Sequence, residues 1–184
     1  MTNIKTDHGG VIPAIAFIGH SNSGKTTLVT KLIARLTQMG FEVGSVKHHG
    51  HVGFEVDVPG KDSWRHMQAG AKYTVISSPD KVVDIHKTPE QEPLLTSLAR
   101  MKDVDIIVVE GFRRGDIDTI ELARKANNDY EKFTGLEDGQ VALVTDIEEF
   151  EERFAGTLPI FEFDDIDGIT NFVIEFTGAT PSKK

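Results

Sequence analysis

The sequence predicts an α/β domain with a mostly parallel sheet flanked by helices, and three observations predict it. Residues 11–18, VIPAIAFI, run almost unbroken apolar, as a strand buried on both faces requires. A glycine-bearing loop follows. From Lys25 to Met39 apolar residues then return at helical spacing, as Leu28, Leu32, Ile33, Leu36 and Met39. Beyond this unit, strand-like and helix-like segments alternate with no internal repeat and no low-complexity linker. A chain of 184 residues is long enough for one self-sufficient core. We expect a single domain over 11–177, with a flexible N-terminus at 1–10 and a flexible tail at 178–184.

Each later element has its own signal. Gly40 supplies a C-cap to the first helix, and Glu42 to Val46 reads as the second strand. A loop rich in Gly, His and Pro runs from Gly50 to Gly60, after which Asp62 or Ser63 caps a short helix through Ala69. Lys72 to Ser77 and Val82 to His86 read as two strands joined across Pro79-Asp80, a small β-hairpin extension. Glu90 to Met101 has the pattern of an amphipathic helix carrying Leu94, Leu95, Leu98 and Met101. Val104 to Val109 is a buried strand that ends in Glu110-Gly111. Thr119 to Ala123 and Val141 to Val144 are further strands, the latter ending at Thr145-Asp146. Leu158 to Phe163 reads as a short last strand and Ile166 to Phe176 as the closing helix.

The loop after the first strand carries the chemistry. Gly19-His20-Ser21-Asn22-Ser23-Gly24-Lys25-Thr26 fits G-x-x-x-x-G-K-[ST]. The backbone N–H groups of such a loop wrap a triphosphate while its lysine reaches the β/γ oxygens. Its glycines permit positive φ and close approach of main chain to an anion. The Thr26 hydroxyl is placed for Mg²⁺, and the helix that follows adds the positive end of its dipole. Strand, loop and helix stand in the order this mechanism needs, so the expected fold is a P-loop nucleotide-binding domain.

Composition excludes several classes. The chain has no cysteine, and therefore no disulfide, thiolate metal site or thiol nucleophile. A net charge of −9 argues against a general nucleic-acid binder. The N-terminal residues lack a signal-peptide core and no segment is long enough for a membrane span, so a cytoplasmic protein is expected. The charge is uneven: Lys47, His48, His49 and His51 cluster after the second strand, whereas Glu148–Glu152 and Asp164–Asp167 are acidic.

A phosphate loop needs a carboxylate partner for its metal. Glu110, at the carboxyl end of a buried strand, stands where a Walker B acid sits; the alternative is a solvent-facing strand-end carboxylate. Gly111 beside it reads either as a backbone approach to the γ-phosphate or as a plain turn. Asp57 reads as a second metal contact or a simple loop aspartate, and Asp62 is better explained as a helix cap. The run Lys47-His48-His49-Gly50-His51 suits a metal site, a wall facing phosphate or pterin, or a solvated loop. No cysteine or adjacent carboxylate completes a metal set there. Arg65, Arg113 and Arg114 are cations near the expected nucleotide face, and Trp64 and Phe112 are aromatics able to stack a heterocycle or to pack beneath a loop. The guanine-reading tetrapeptide Asn-Lys-x-Asp is absent. Asp146 sits where an acid reaches the base; its other reading is the N-cap of a helical turn at Ile147–Phe150.

Taken together, these motifs resemble the molybdopterin-guanine dinucleotide biosynthesis adapter family, MobB. The resemblance is carried by Gly19 to Thr27, Val46-Lys47-His48-His49-Gly50-His51, Asp57 to Ser63, Arg65 to Ala71 and Val108-Val109-Glu110-Gly111-Phe112, in the family's order. It implies a P-loop fold that binds GTP and Mg²⁺, is usually dimeric, and assists a separate guanylyltransferase, MobA, in joining GMP to the molybdenum-pterin cofactor. It implies at most weak GTPase activity, with Lys25 and Glu110 as the catalytic pair. Phosphate and metal contacts fall to Gly24, Lys25, Thr26 and Thr27, with Lys47, His48 and Asp57 lining the same face. Beyond about residue 113 the correspondence is looser. No glutamine stands beside Glu110-Gly111 to align water, which also suggests weak hydrolysis. Two other readings compete: an ATP-dependent small-metabolite kinase with Asp57 or Asp62 as base, and a metallochaperone GTPase using His48, His49 and His51.

Overall fold

The structure, a computed structural model, describes residues 2–7, 9–51, 53–113, 116–129, 133 and 136–182. In chain order its elements are β1 (Thr2–Lys5), β2 (Val11–Gly19), α1 (Lys25–Gln38), β3 (Val43–Lys47), α2 (Asp62–Gln68), β4 (Tyr73–Ser77), β5 (Val82–His86) and α3 (Leu94–Ala99). There follow β6 (Ile106–Glu110), β7 (Thr119–Ala123), a 3-10 turn (Lys125–Asn127), β8 (Gln140–Thr145), α4 (Glu148–Phe154), β9 (Ile160–Phe161) and α5 (Ile166–Thr177). They form two compact units, one of Met1–His48 with Pro93–Lys184 and one of His49–Glu92.

The first unit is built on a seven-stranded sheet in the order β3-β6-β2-β7-β8-β9, with β1 paired to β2. Every pairing is parallel except β1 with β2. The chain leaves β2 toward β3 on one side and later reaches β7 on the other, so the loop after β2 opens at the switch point where α/β sheets bind ligands. The period-2 alternation of β2 divides the core. Ile15 and Phe17 pack with Leu28, Leu32 and Leu36 of α1 and with Ile169 and Val173 of α5. Ala14, Ala16 and Ile18 pack on the other face with Leu94 and Leu98 of α3 and with Ile4 of β1. Burial on both faces explains why β2 and β6 read as unbroken apolar runs. The second unit holds α2 and the antiparallel pair β4-β5, the hairpin expected from the sequence. No helix among the described residues is long and apolar enough to cross a membrane.

Several elements differ from expectation. Residues 2–5 are not a loose leader: they form β1, in register with residues 11–14 of β2, and Ile4 is buried. The helix expected over Glu90–Met101 is confined to Leu94–Ala99 with Pro93 at its N-cap, because proline lacks the N–H for a helix interior and holds its predecessor out of the α region. Lys61, not Asp62 or Ser63, occupies the N-cap of α2; Asp62 is its first residue, where a carboxylate suits the dipole. The last strand contracts to Ile160–Phe161. The tail is partly docked: Gly178 closes α5 at φ +65°, Ala179 is buried, and the Ser182 hydroxyl donates to Asp105.

Candidate functional site

Phosphate-loop geometry follows from two left-handed residues. Asn22 at φ +65° and Gly24 at φ +91° turn the chain so that α1 begins at Lys25. The loop is braced from the β7 side. A Cβ on Gly19 would lie 2.5 Å from the Leu122 carbonyl oxygen, so only glycine allows β2 to leave the sheet there. A Cβ on Gly24 would meet the Arg124 guanidinium at 3.2 Å. Asn127 Nδ2, on the 3-10 turn, donates to the Ser21 carbonyl at 2.9 Å. The Lys25 ammonium spans the loop, donating to the carbonyls of Gly19 at 2.9 Å and His20 at 2.6 Å. Burial lowers its pKa, opposed by the nearby charges of Glu110 and Asp129.

Thr26, Lys47 and Glu110 converge beside this loop. The Thr26 hydroxyl donates to Glu110 Oε1 at 2.6 Å. Lys47 Nζ donates to the same oxygen at 2.7 Å and to Thr26 Oγ1 at 3.1 Å. A hydroxyl and a carboxylate at this separation form a hard oxygen pair of the kind Mg²⁺ prefers, and the lysine ammonium already places positive charge against both. The donor set thus fits a magnesium ion. After β6 the chain turns through Gly111 (φ +91°) and Phe112 (φ +61°). The Gly111 N–H is donated to the Phe17 carbonyl at 2.9 Å, and a Cβ at 111 would sit 2.8 Å from His48 Cβ. The glycine is therefore required by His48, whose own N–H donates to the Glu110 carbonyl and whose ring packs 4.7 Å from Phe112.

On the other side of α1's start lies a cavity of about 480 Å³, lined in part by Gly24, Thr27, Lys31, Arg124, Asp146 and Phe163. Asp146 is exposed there and its Oδ1 accepts the Lys125 N–H at 2.6 Å. It is not a helix cap, because α4 starts at Glu148 with Ile147 at the N-cap and no side-chain cap bond. The Arg124 guanidinium lies 3.8 Å over the Phe163 ring, and its Nε is buried with no hydrogen-bond partner among the described residues.

The remaining candidates have surroundings of their own. Asp57 belongs to the second unit; its Oδ1 accepts the Val58 N–H at 2.7 Å and its Oδ2 is buried with no partner among the described residues. His48 and His49 lie beyond the end of β3, and His49 packs on His51 and Phe54. Among the described residues no group of three His, Cys, Asp or Glu is gathered as a metal site. Arg65 is exposed on α2 and Trp64 is half-buried beside it. Arg113 is committed to Glu121 and, at 2.9 Å, to Glu137. Arg114 lies outside the described residues. Sequence reasoning missed Arg124, Phe163, Asn127 and Glu121. Arg124 directly follows β7, at the carboxyl end of a strand whose parallel pairing only the fold reveals.

Comparison with known proteins locates this arrangement. The family model described as Molybdopterin guanine dinucleotide synthesis protein B matches residues 14–146. The Molybdopterin-guanine dinucleotide biosynthesis adapter protein of Escherichia coli (strain K12) is 33% identical over 170 residues, covering 90% of this chain and 94% of that protein. The adapter protein of the same name from Haemophilus influenzae is 37% identical over 117 residues, 62% of this chain and 65% of that protein. Among solved structures, Bacillus subtilis MobB superposes with a TM-score of 0.69 at 25% identity, over 87% of this chain and 97% of that one. A structure titled molybdopterin-guanine biosynthesis protein B gives 0.66 at 29% identity, over 89% and 99%.

Proposed function

The chain belongs to the molybdopterin guanine dinucleotide synthesis protein B family, and on that premise we propose that it is a GTP-binding adapter. It assists a guanylyltransferase in making the molybdopterin guanine dinucleotide form of the molybdenum cofactor. One observation carries the nucleotide part of this reading: Gly24 and Thr27 of the phosphate loop and α1 line the same cavity as Asp146. Phosphate and base subsites are thereby continuous across the first turn of α1.

In this reading the loop from Gly19 to Thr27 wraps the phosphates and Lys25 neutralises them. Thr26 and Glu110 hold Mg²⁺, and the ion when bound neutralises charge on the β and γ oxygens. The Asp146 carboxylate accepts from guanine N1–H and its 2-amino group. Adenine offers an acceptor at N1 and no 2-amino group, so it brings that carboxylate no donor from the base. Hydrolysis is slow because the one arginine in the loop after Glu110-Gly111 that the structure describes, Arg113, is held by two carboxylates. The working form is a homodimer in the cytoplasm. Exposed apolar side chains of the second unit, Phe54, Val56, Val58, Tyr73, Val75 and Val82, support self-association.

Titration of wild type, Lys25→Ala and Asp146→Ala with Mg·GTP and Mg·ATP tests the nucleotide assignment. Expected is a GTP preference of about tenfold to a hundredfold, the range of a charged hydrogen bond. Lys25→Ala should weaken both nucleotides and Asp146→Ala should erase the preference. Equal or tighter ATP binding by wild type overturns the guanine assignment and favours the kinase.

A further inference from the structure

We propose that Lys47 is a built-in competitor for the metal seat: its ammonium holds the place between Thr26 and Glu110 that a divalent cation must take, and swings out when the cation enters. This deepens the nucleotide-binding reading above and rests on it.

The geometry is a closed triangle. Thr26 Oγ1 and Glu110 Oε1 are 2.6 Å apart, and Lys47 Nζ lies 3.1 Å from the first and 2.7 Å from the second. The hydroxyl proton points at the carboxylate, and the ammonium takes one of the two lone pairs through which Thr26 would ligate a metal. Mg²⁺ sits about 2.0–2.1 Å from its oxygen ligands, too close for an ammonium to remain on the same atoms. Two positive centres so placed would also repel.

The lysine is positioned for this exchange by the sheet. Lys47 is the last residue of β3 and is the in-register partner of Glu110 on β6, so their side chains emerge as neighbours on one face. The backbone is fixed on both sides of the contact, because the His48 N–H donates to the Glu110 carbonyl at 2.8 Å. Only the four-carbon stem is left to move. The Glu110 side chain is 12% exposed and that of Lys47 57%, so the acid is anchored while the ammonium has solvent to enter. Lys25 occupies a different seat, bonded to loop carbonyls, and does not duplicate the role.

Two consequences follow. Removing the Lys47 charge frees the oxygen pair for metal, so metal binds more tightly. Removing it also deprives the site of a cation when no metal is present, so metal-free nucleotide binds less tightly. A simple phosphate-contacting lysine gives a different pattern, weakening nucleotide equally with and without metal.

The test uses the full chain and Lys47→Met, which keeps the stem and drops the charge, with Lys47→Arg as the charge-retaining control. Free Mn²⁺ is followed by electron paramagnetic resonance without nucleotide, and a fluorescent GTP analogue is titrated in EDTA and in saturating Mg²⁺. Lys47→Met should bind Mn²⁺ about threefold to fivefold more tightly than wild type, the span of a part-exposed ion pair, and Lys47→Arg should remain near wild type. In EDTA, Lys47→Met should bind the analogue more weakly than wild type, and in Mg²⁺ the two should converge. Unchanged or weaker Mn²⁺ binding by Lys47→Met, or equal loss of analogue affinity in both conditions, overturns the proposal. If wild type binds no GTP analogue, the nucleotide reading fails, while the Mn²⁺ comparison still judges Lys47.

Discussion

Glu121 sits mid-strand on β7, 3% exposed, where a carboxylate has to be paired or neutral. Arg113 donates to Oε1, while Oε2 is buried with no partner among the described residues. Burial raises the Glu121 pKa above 4.5, and the Arg113 hydrogen bond and charge oppose the rise without cancelling it. A raised folded-state value means that the folded chain holds its proton to higher pH than the unfolded chain does. Its stabilising contribution is therefore complete below the unfolded value and is lost as pH rises through the folded one. Wild type should thus lose stability relative to Glu121→Gln as pH climbs above the ordinary glutamate value of about 4, read by urea unfolding. A gap that stays constant or moves in favour of wild type with rising pH contradicts this. Other site residues were easier to read. Lys25 and Thr26 are named by fixed spacing in one loop, and Glu110 by ending an apolar run. Arg124 was not legible, because one arginine after a strand has no pattern; only the fold brings it against Gly24 and Phe163.

Among elements, legibility followed how locally each is determined. The β2-loop-α1 unit has a buried run, a glycine-defined turn and a helical stripe within adjacent residues, and each appears where expected. The four-residue β1 has one buried apolar side chain, Ile4, and exists because β2 offers it an edge; that pairing is invisible in TNIK alone. Helix α3 was overextended because apolar spacing through Met101 outweighed Pro93, whose backbone geometry then won. The β4-β5 hairpin was legible from Pro79-Asp80 between two β-rich runs, yet its faces were not. In register, Tyr73, Val75 and Ser77 oppose His86, Asp84 and Val82, so one face carries exposed Tyr73, Val75 and Val82. That face is our candidate for the contact between copies. Sedimentation should give wild type twice the 20.3 kDa chain mass, and Val75→Asp a single chain mass with GTP binding retained. An unchanged mass for the variant would remove the hairpin from the interface.

The molecule as a whole divides into two compact units. The first holds the phosphate loop, the Thr26-Lys47-Glu110 triangle and the cavity at Asp146. The second contributes α2, the hairpin and most of the exposed large apolar side chains. This division was not legible in the sequence, where the Gly-, His- and Pro-rich stretch from Gly50 to Gly60 reads as a loop inside one domain. The most direct test of the adapter account is reconstitution: a purified guanylyltransferase, molybdenum-pterin and Mg·GTP, with the guanine dinucleotide product measured with and without this chain. The account predicts more product with wild type, no gain with Lys25→Ala, and none from the chain without the transferase. Equal product in its absence, or full support by Lys25→Ala, would contradict it.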